Sequence, residues 1–320
     1  MKKSLEFSFT PVAPYNFELT VRKWAGWYWL TPFEVYEKGT LWTGTRLNSR
    51  PLGLKLKSLG TVEKPKIEIQ VIGQPLSKKQ QRSLVKFLKD ALAVDQNLSE
   101  FYALCEKYPV LRQVKKDLYG MHTATDPNLF NGAVLSITLQ MAPTKRSLKM
   151  LYDLFENYGE KLRFDGKEVI LWAMAESLNA VSEEELREKC KLGYRAKFIK
   201  AIAADYCAGR FPKREDLLAL TPEEAKKELI KLKGIGDYSA DIITPHPGFP
   251  LDIWSVKIFS KLLKIKMTKP AREMIPIIKE WAKREWGKHR GTAFTYILND
   301  LDNLKRKFKV DIGGTVADKE

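Results

Sequence analysis

The chain has 320 residues, with 55 Lys plus Arg against 39 Asp plus Glu, a formal net charge of +16 and a pI near 9.5. That length implies two or three lobes with ample core, and that charge draws a protein to polyanions, although a Lys- and Glu-rich surface is also common in thermophiles. No apolar run is long enough to span a bilayer, Cys105, Cys190 and Cys207 have neither disulfide nor metal-site spacing, and His122, His246 and His289 are too dispersed for a metal cluster.

Met1-Lys2-Lys3-Ser4 leads into alternating Leu5, Phe7 and Phe9, not into an apolar signal core, so cytoplasmic residence is the expectation. Phe17 to Thr20, Trp27 to Leu30, Leu41 to Arg46, Leu52 to Lys57 and Lys66 to Ile72 are short β-rich runs. Gly26, Gly39, Gly44, Gly60 and Pro65 punctuate them. The stripe Trp24, Trp27, Tyr28, Trp29 has strand spacing, which favours core over a base-stacking platform. Ser77 then caps a helix with Leu84, Phe87, Leu88, Ala91 and Leu92 on its apolar side. Residues 1–97 therefore read as an antiparallel sheet lobe with a helix.

Residues 98–320 read as helical, which makes the fold class α+β. Helix starts fall near Ser99, Val110, Pro127, Thr144, Glu168, Ser182, Arg195, Arg214, Pro222, Asp237, Ile253, Arg272 and Lys288. Asp165-Gly166-Lys167 is a turn. The tail from Asp311 to Glu320 reads as loose, and there is no internal repeat.

The most telling stretch is Leu232-Lys233-Gly234-Ile235-Gly236-Asp237-Tyr238-Ser239. Before it, Thr221-Pro222-Glu223-Glu224 is a helix start with a capping box and a proline at the first position. The glycines then interrupt the helix, and a second helix starts near Asp237 and ends before Pro245. Bare amides at such a helix start suit a phosphate. A plain helix connection with a glycine cap remains the alternative. A helix precedes the glycines, so this is neither a dinucleotide fingerprint nor a P-loop.

Asp252 follows the breaker run Pro245 to Pro250 and precedes the amphipathic run of Ile253, Trp254, Val256, Ile258 and Phe259. Aspartate there is a good N-cap. The cap role is compatible with a chemical one, because a helix start favours the ionised carboxylate.

The hairpin plus the downstream aspartate resembles the signature of the helix-hairpin-helix DNA glycosylases. Other segments agree in order: Asp126 to Phe130 leading into Ile137-Thr138-Leu139-Gln140-Met141, then Leu192-Gly193-Tyr194-Arg195-Ala196-Lys197, then Trp286-Gly287-Lys288-His289-Arg290-Gly291. In the last, Lys288 and His289 replace the family's proline and aromatic residue. The resemblance covers roughly residues 100 to 300.

It implies a helical core in two lobes, about 127–250 forming the hairpin lobe and 98–126 with 251–320 the other. It implies a monomeric enzyme acting on double-stranded DNA with damaged bases, with Asp252 as the catalytic carboxylate. Strand-cutting members carry a nucleophilic lysine where this chain has Tyr238. The resemblance is therefore to alkylpurine glycosylases that use water.

Tyr238, Gln140, Phe130, His289 and Trp286 would line or border the base pocket. Lys233, Gly234, Ile235, Gly236, Ser239, Met141, Lys197 and Lys257 would face DNA, within a wider basic set that includes Lys191, Arg195, Lys200, Lys231, Lys283, Arg284, Lys288 and Arg290. No organic cofactor is implied. A monovalent cation on the carbonyls of Ile230, Leu232 and Ile235 is. The alternatives are an 8-oxoguanine glycosylase with strand-cutting activity and a non-catalytic DNA-binding protein of the same fold.

Overall fold

The computed structural model describes residues 4–22, 30–73 and 75–311. The Trp24–Trp29 stripe, Gly26, the Trp27-to-Leu30 run apart from Leu30, and the tail beyond Asp311 lie outside the described residues. In chain order the elements are β1 (Ser4–Phe9), α1 (Phe17–Arg22), β2 (Val35–Glu37), β3 (Thr40–Leu47), β4 (Arg50–Ser58), β5 (Ile67–Ile72), α2 (Lys78–Leu92), α3 (Ser99–Cys105) and α4 (Pro109–Asp117). Then come α5 (Leu129–Leu139), α6 (Thr144–Tyr158), β6 (Glu160–Phe164), β7 (Lys167–Leu171), α7 (Ala175–Ala180), α8 (Glu183–Lys189) and α9 (Ala196–Cys207). The chain continues with α10 (Arg214–Leu218), α11 (Pro222–Ile230), α12 (Asp237–Ile243), α13 (Ile253–Leu262), α14 (Ala271–Trp286), α15 (Arg290–Asn299) and α16 (Leu301–Phe308). Among the described residues no helix is long and apolar enough to cross a membrane.

These elements fall into two compact units. The first joins the residues up to Leu98 with Gly120–Phe211, and the second joins Ser99–Tyr119 with the residues from Pro212 onward. The expected grouping of residues 127–250 into one lobe is thus corrected. The helical hairpin clusters with the C-terminal helices, because ion pairs and close backbone packing tie α11 and α12 to α14 and α15.

In the first unit an antiparallel sheet runs in the order β1-β5-β4-β3-β2. Leu52, Leu54 and Leu56 alternate along β4, as do Ile67, Ile69 and Val71 along β5, and all join one core with Leu84, Leu88, Ala91 and Leu92 of α2. Period-two alternation meeting a helical apolar stripe is what builds this layer. The capping box of α2 is present, with Ser77 accepting from the Gln80 amide and Gln80 returning to the Ser77 amide.

The opposite sheet face is closed by the hairpin β6–β7. Gly44 and Gly53 are cross-strand partners. A Cβ on Gly44 would meet Leu171 Cδ2 at 2.5 Å, and one on Gly53 would meet the Phe164 ring at 2.8 Å. Gly44 is therefore a mid-strand contact point, not the strand punctuation expected. The helix expected from Glu168 is likewise strand β7, because Phe164, Val169 and Leu171 are needed to cover Trp42. Phe17 to Thr20, expected as strand, opens α1, where the Asn16 side chain accepts the Leu19 amide at 3.0 Å.

Candidate active site around Asp252 and Tyr238

Helix α11 begins as its sequence dictates. Thr221 accepts from the Glu224 amide, Glu224 returns to the Thr221 amide at 3.0 Å, and Pro222 takes the first turn. Ala225 and Leu229 bury, and the chain then reverses. Gly234 takes φ +89°, a conformation that disfavours any side chain. Gly236 is different. It is extended (φ −103°, ψ −172°) as the N-cap residue of α12, and a Cβ there would meet nothing within 4 Å. No side chain caps this helix start.

Two residues expected to face DNA are corrected here. Ser239 is 1% exposed, so its hydroxyl points inward. Ile235 is also buried, and its amide donates to the Leu232 carbonyl at 3.0 Å. Lys233 is exposed beside them, and so is Lys257 on α13.

Helix α12 is held from behind by charge. Lys226 of α11 reaches Asp237 at 2.5 Å and Asp241 at 3.0 Å. Lys279 of α14 contacts the same two carboxylates. Burial acts to raise the Asp237 carboxyl, but hydrogen bonds from Lys226 and Lys279 outweigh it and leave it below the ordinary aspartate range. Lys226, though partly desolvated, is raised by the same two aspartates. The sequence reading missed this set. The i,i+4 spacing of Asp237 and Asp241 was its only local trace.

The chain leaves α12 through Pro245 to Leu251, and this short segment is tightly fixed. A Cβ on Gly248 would overlap the Asp241 carbonyl oxygen at 1.9 Å, and one on Gly291 would meet the Gly248 carbonyl oxygen at 2.8 Å. Phe249 inserts into an aromatic cluster with Phe259, Phe294 and Trp286, at ring separations of 5.4, 5.3 and 6.1 Å. Trp286 is 2% exposed in that cluster, so its expected place at a base pocket is corrected to the core.

Asp252 follows at once as the N-cap of α13. Its Oδ1 accepts the Ser255 amide and the Ser255 hydroxyl, both at 2.7 Å, while Ser255 Oγ accepts the Asp252 amide at 2.8 Å. Among the described residues Oδ2 has no hydrogen-bond partner. The carboxylate is half-buried. It lies close enough to Tyr238 that its charge, after burial, raises the Tyr238 phenol well above its ordinary value. The structure therefore brings together an oriented carboxylate and a neutral phenol. His289, in the same unit, sits 6.2 Å from the Phe101 ring and 3.4 Å from Glu100.

The remaining expected residues lie in the first unit. Asn128 caps α5, accepting from the amides of Phe130 and Asn131. Phe130 is 4% exposed and packs on Tyr206 and Phe211, so it is core and not the pocket wall expected. Gln140 ends α5, and its carbonyl is held by buried Arg195. Met141 follows at φ +47° and is 84% exposed, an unusual state for a large apolar side chain.

Part of the expected basic surface is engaged within the chain. Arg195 is buried, Lys200 binds the Asn179 carbonyl, and Lys231, Lys283, Arg284 and Lys288 each pair with a glutamate. Lys191, Lys197 and Lys233 remain exposed without an ion pair among the described residues. No cluster of His, Cys, Asp or Glu among the described residues is arranged to hold a metal ion.

No family model matches the chain. It is 22% identical over 219 residues to the DNA-3-methyladenine glycosylase of Bacillus subtilis strain 168, spanning 67% of this chain and 71% of that protein. The structure of a 3-methyladenine DNA-glycosylase from Archaeoglobus fulgidus is similar with a TM-score of 0.75 at 20% identity, covering 95% of this chain and all (100%) of that one. The apo form of an 8-oxoguanine glycosylase/lyase from Clostridium acetobutylicum is similar with a TM-score of 0.69 at 17% identity, covering 93% of this chain and 98% of that one.

Proposed function

With the helix-hairpin-helix DNA glycosylase fold as premise, we propose that this chain is a DNA glycosylase that removes alkylated or deaminated purines by hydrolysis and leaves the strand intact. A modified base inside a duplex is out of reach, so it is flipped out at a cost of a few kcal/mol. A base that pairs or stacks poorly lowers that cost and is selected by it. Breaking the N-glycosidic bond builds positive charge on the sugar. The Asp252 carboxylate stabilises that charge and orients the attacking water, which delivers its oxygen to the anomeric carbon as the base leaves.

The observation that carries this reading is the fixed orientation of Asp252 at the start of α13, near enough for its charge to act on Tyr238. Oδ1 is anchored by two Ser255 donors, which leaves Oδ2 for sugar or water. The raised phenol stays protonated at neutral pH, so Tyr238 serves as wall and hydrogen-bond donor, not as a nucleophile. Strand cutting through a Schiff base needs an amine at that position, and none stands there.

Exposed Met141 of the first unit, with Gln140 before it, offers an apolar side chain for contact with duplex DNA. The open start of α12 at Gly236 receives a phosphate. A monovalent cation on the carbonyls of Ile230, Leu232 and Ile235 adds positive charge at the hairpin. The Leu232 oxygen, which already accepts the Ile235 amide, keeps a lone pair for it.

Single-lesion duplexes carrying 3-methyladenine, 7-methylguanine, 1-methyladenine or hypoxanthine test the proposal, with 8-oxoguanine alongside. The expected product is free base plus an intact strand that breaks only after alkali or heat. Efficient borohydride trapping, at a rate matching base release, would replace it with the strand-cutting reading and direct attention to Lys233 and Lys257. Binding without release of any base would leave a non-catalytic DNA-binding protein.

A further inference from the structure

We propose that the outer face of α2 is a second DNA-binding surface, a stripe of cations that tracks duplex phosphates from the unit that does not contain Asp252. Helix α2 holds five cations against one carboxylate in 15 residues, a quarter of the chain's net charge of +16. Lys78, Arg82, Lys86 and Lys89 stand at i, i+4, i+8 and i+11, which places them along one side of the helix. All four, and Lys79, are exposed. The rotation of the helix is not free, because Leu84, Leu88, Ala91 and Leu92 are committed to the sheet core.

These charges differ from the paired cations of several other helices. Ion pairs join Lys149 to Asp153 on α6, Arg187 to Glu183 and Lys189 to Glu185 on α8, and Lys231 to Glu228 at the end of α11. On α2 the only ion pair among the described residues is Lys89 with Asp95, at 4.0 Å. Lys78, Lys79, Arg82 and Lys86 have none among them.

The arrangement works against the helix itself. Like charges at i,i+4 repel, and Lys78 and Lys79 occupy the first turn, where the helix dipole favours acids. The first turn of α2 has no acidic residue. A solubilising surface gives no reason to accept both costs. A polyanion does, since each phosphate neutralises a cation and releases counterions. From Lys78 to Lys89 the stripe runs about 16 Å at 1.5 Å per residue, the rise of about five phosphates on one strand. Asp90 and Asp95 bound it at its C-terminal end and confine the positive stretch to the first three turns.

The partner, duplex DNA, rests on the glycosylase reading. The test is therefore made on undamaged duplex, where base release plays no part. In the full chain, Lys78, Arg82, Lys86 and Lys89 are all changed to Gln, which keeps helix propensity, and folding is checked by circular dichroism and a thermal melt. Affinity is measured across a salt series. The slope of log affinity against log salt should become shallower by about 3.6, at roughly 0.9 for each of four phosphates no longer neutralised. Excision at saturating enzyme should stay within twofold of the unmodified chain.

A second variant carrying Lys78→Arg, Lys86→Arg and Lys89→Arg keeps the charge and should keep the slope. It also separates loss of charge from loss of fold. A slope change of less than one in the Gln variant overturns the proposal. So does a loss seen with transfer RNA or anionic vesicles but not with duplex. If no base is released by any variant but the slope shifts as stated, the stripe stands and the catalytic reading fails.

Discussion

Helices α12 and α13 follow one another in the chain and begin in opposite ways. The start of α13 is closed by its own side chains, with Asp252 and Ser255 exchanging hydrogen bonds in a capping box. The start of α12 is open, with glycine as its cap residue and no capping side chain. A closed start holds one carboxylate in one orientation and leaves one oxygen over. An open start leaves amide groups for a ligand. Under the proposed function these two neighbouring helix ends would serve two purposes, orienting a reacting group and receiving a phosphate, and the difference lies in two cap residues.

The largest effect that sharpens this contrast is at Asp252. Asn caps about as well as Asp, so Asp252→Asn should hold stability within about 0.5 kcal/mol. Single-turnover base release should fall about 10³-fold, because charge stabilisation at the sugar is lost. Affinity for DNA should be unchanged or higher, since a negative charge near phosphate has been removed. Activity within a few-fold of the unmodified chain would falsify the catalytic role.

Next comes Gly234→Ala. At φ +89° an alanine is strained, and a loss of about 1–2 kcal/mol in chemical denaturation is expected. The same change at Gly236 meets open space in an extended backbone and should leave the melting temperature within a degree or two. Its cost should appear only with DNA, as a fall of about fivefold, or about 1 kcal/mol, for all duplexes alike. A loss at Gly236 confined to one lesion would break the contrast, because phosphates carry no base identity.

Ser255→Ala removes one donor to Asp252 Oδ1 and the return arm of the box, while the Ser255 amide remains. About 1 kcal/mol of stability should be lost. Base release should slow by several-fold, less than in Asp252→Asn, as the carboxylate loosens. An unaltered rate would mean that the closed start does not orient the reacting group.

The smallest effect is in pH. The Asp237 carboxyl is held below its ordinary range by Lys226 and Lys279, so its folded pKa lies below the unfolded one. Its contribution is full above about pH 4 and is lost as pH falls through the depressed value. Denaturation midpoints for Asp237→Asn and the unmodified chain should differ at pH 6 and converge toward pH 2. A constant difference across that range would show that the ion pairs are not the source.

The caps of Ser77, Ser182, Thr221 and Asp252 were legible from the sequence because each cap closes within three residues of itself. The helical hairpin and its glycines were legible for the same reason, as were the alternating strands β3 to β5. What local patterns did not contain was which face would be covered and by what. Gly44 reads as a strand breaker until Leu171 is packed on it, and the stretch after Glu168 reads as helix until Trp42 needs a cover. Trp286 and Phe130 lie in segments whose resemblance to a glycosylase family suggested a pocket, yet both are spent on core.

The sequence by itself determined the capped helix starts at Ser77, Ser182, Thr221 and Asp252 and the presence of an aspartate after a glycine hairpin, since hydrogen bonds between near neighbours decide these. Only the tertiary structure decided what surrounds that aspartate. Lys226 and Lys279 meet Asp241 across sequence separations of 15 and 38 residues, and Gly248 lies against Asp241 on one side and against Gly291 of α15 on another. Pairings of that range depend on how whole elements pack, and no local rule of spacing records them.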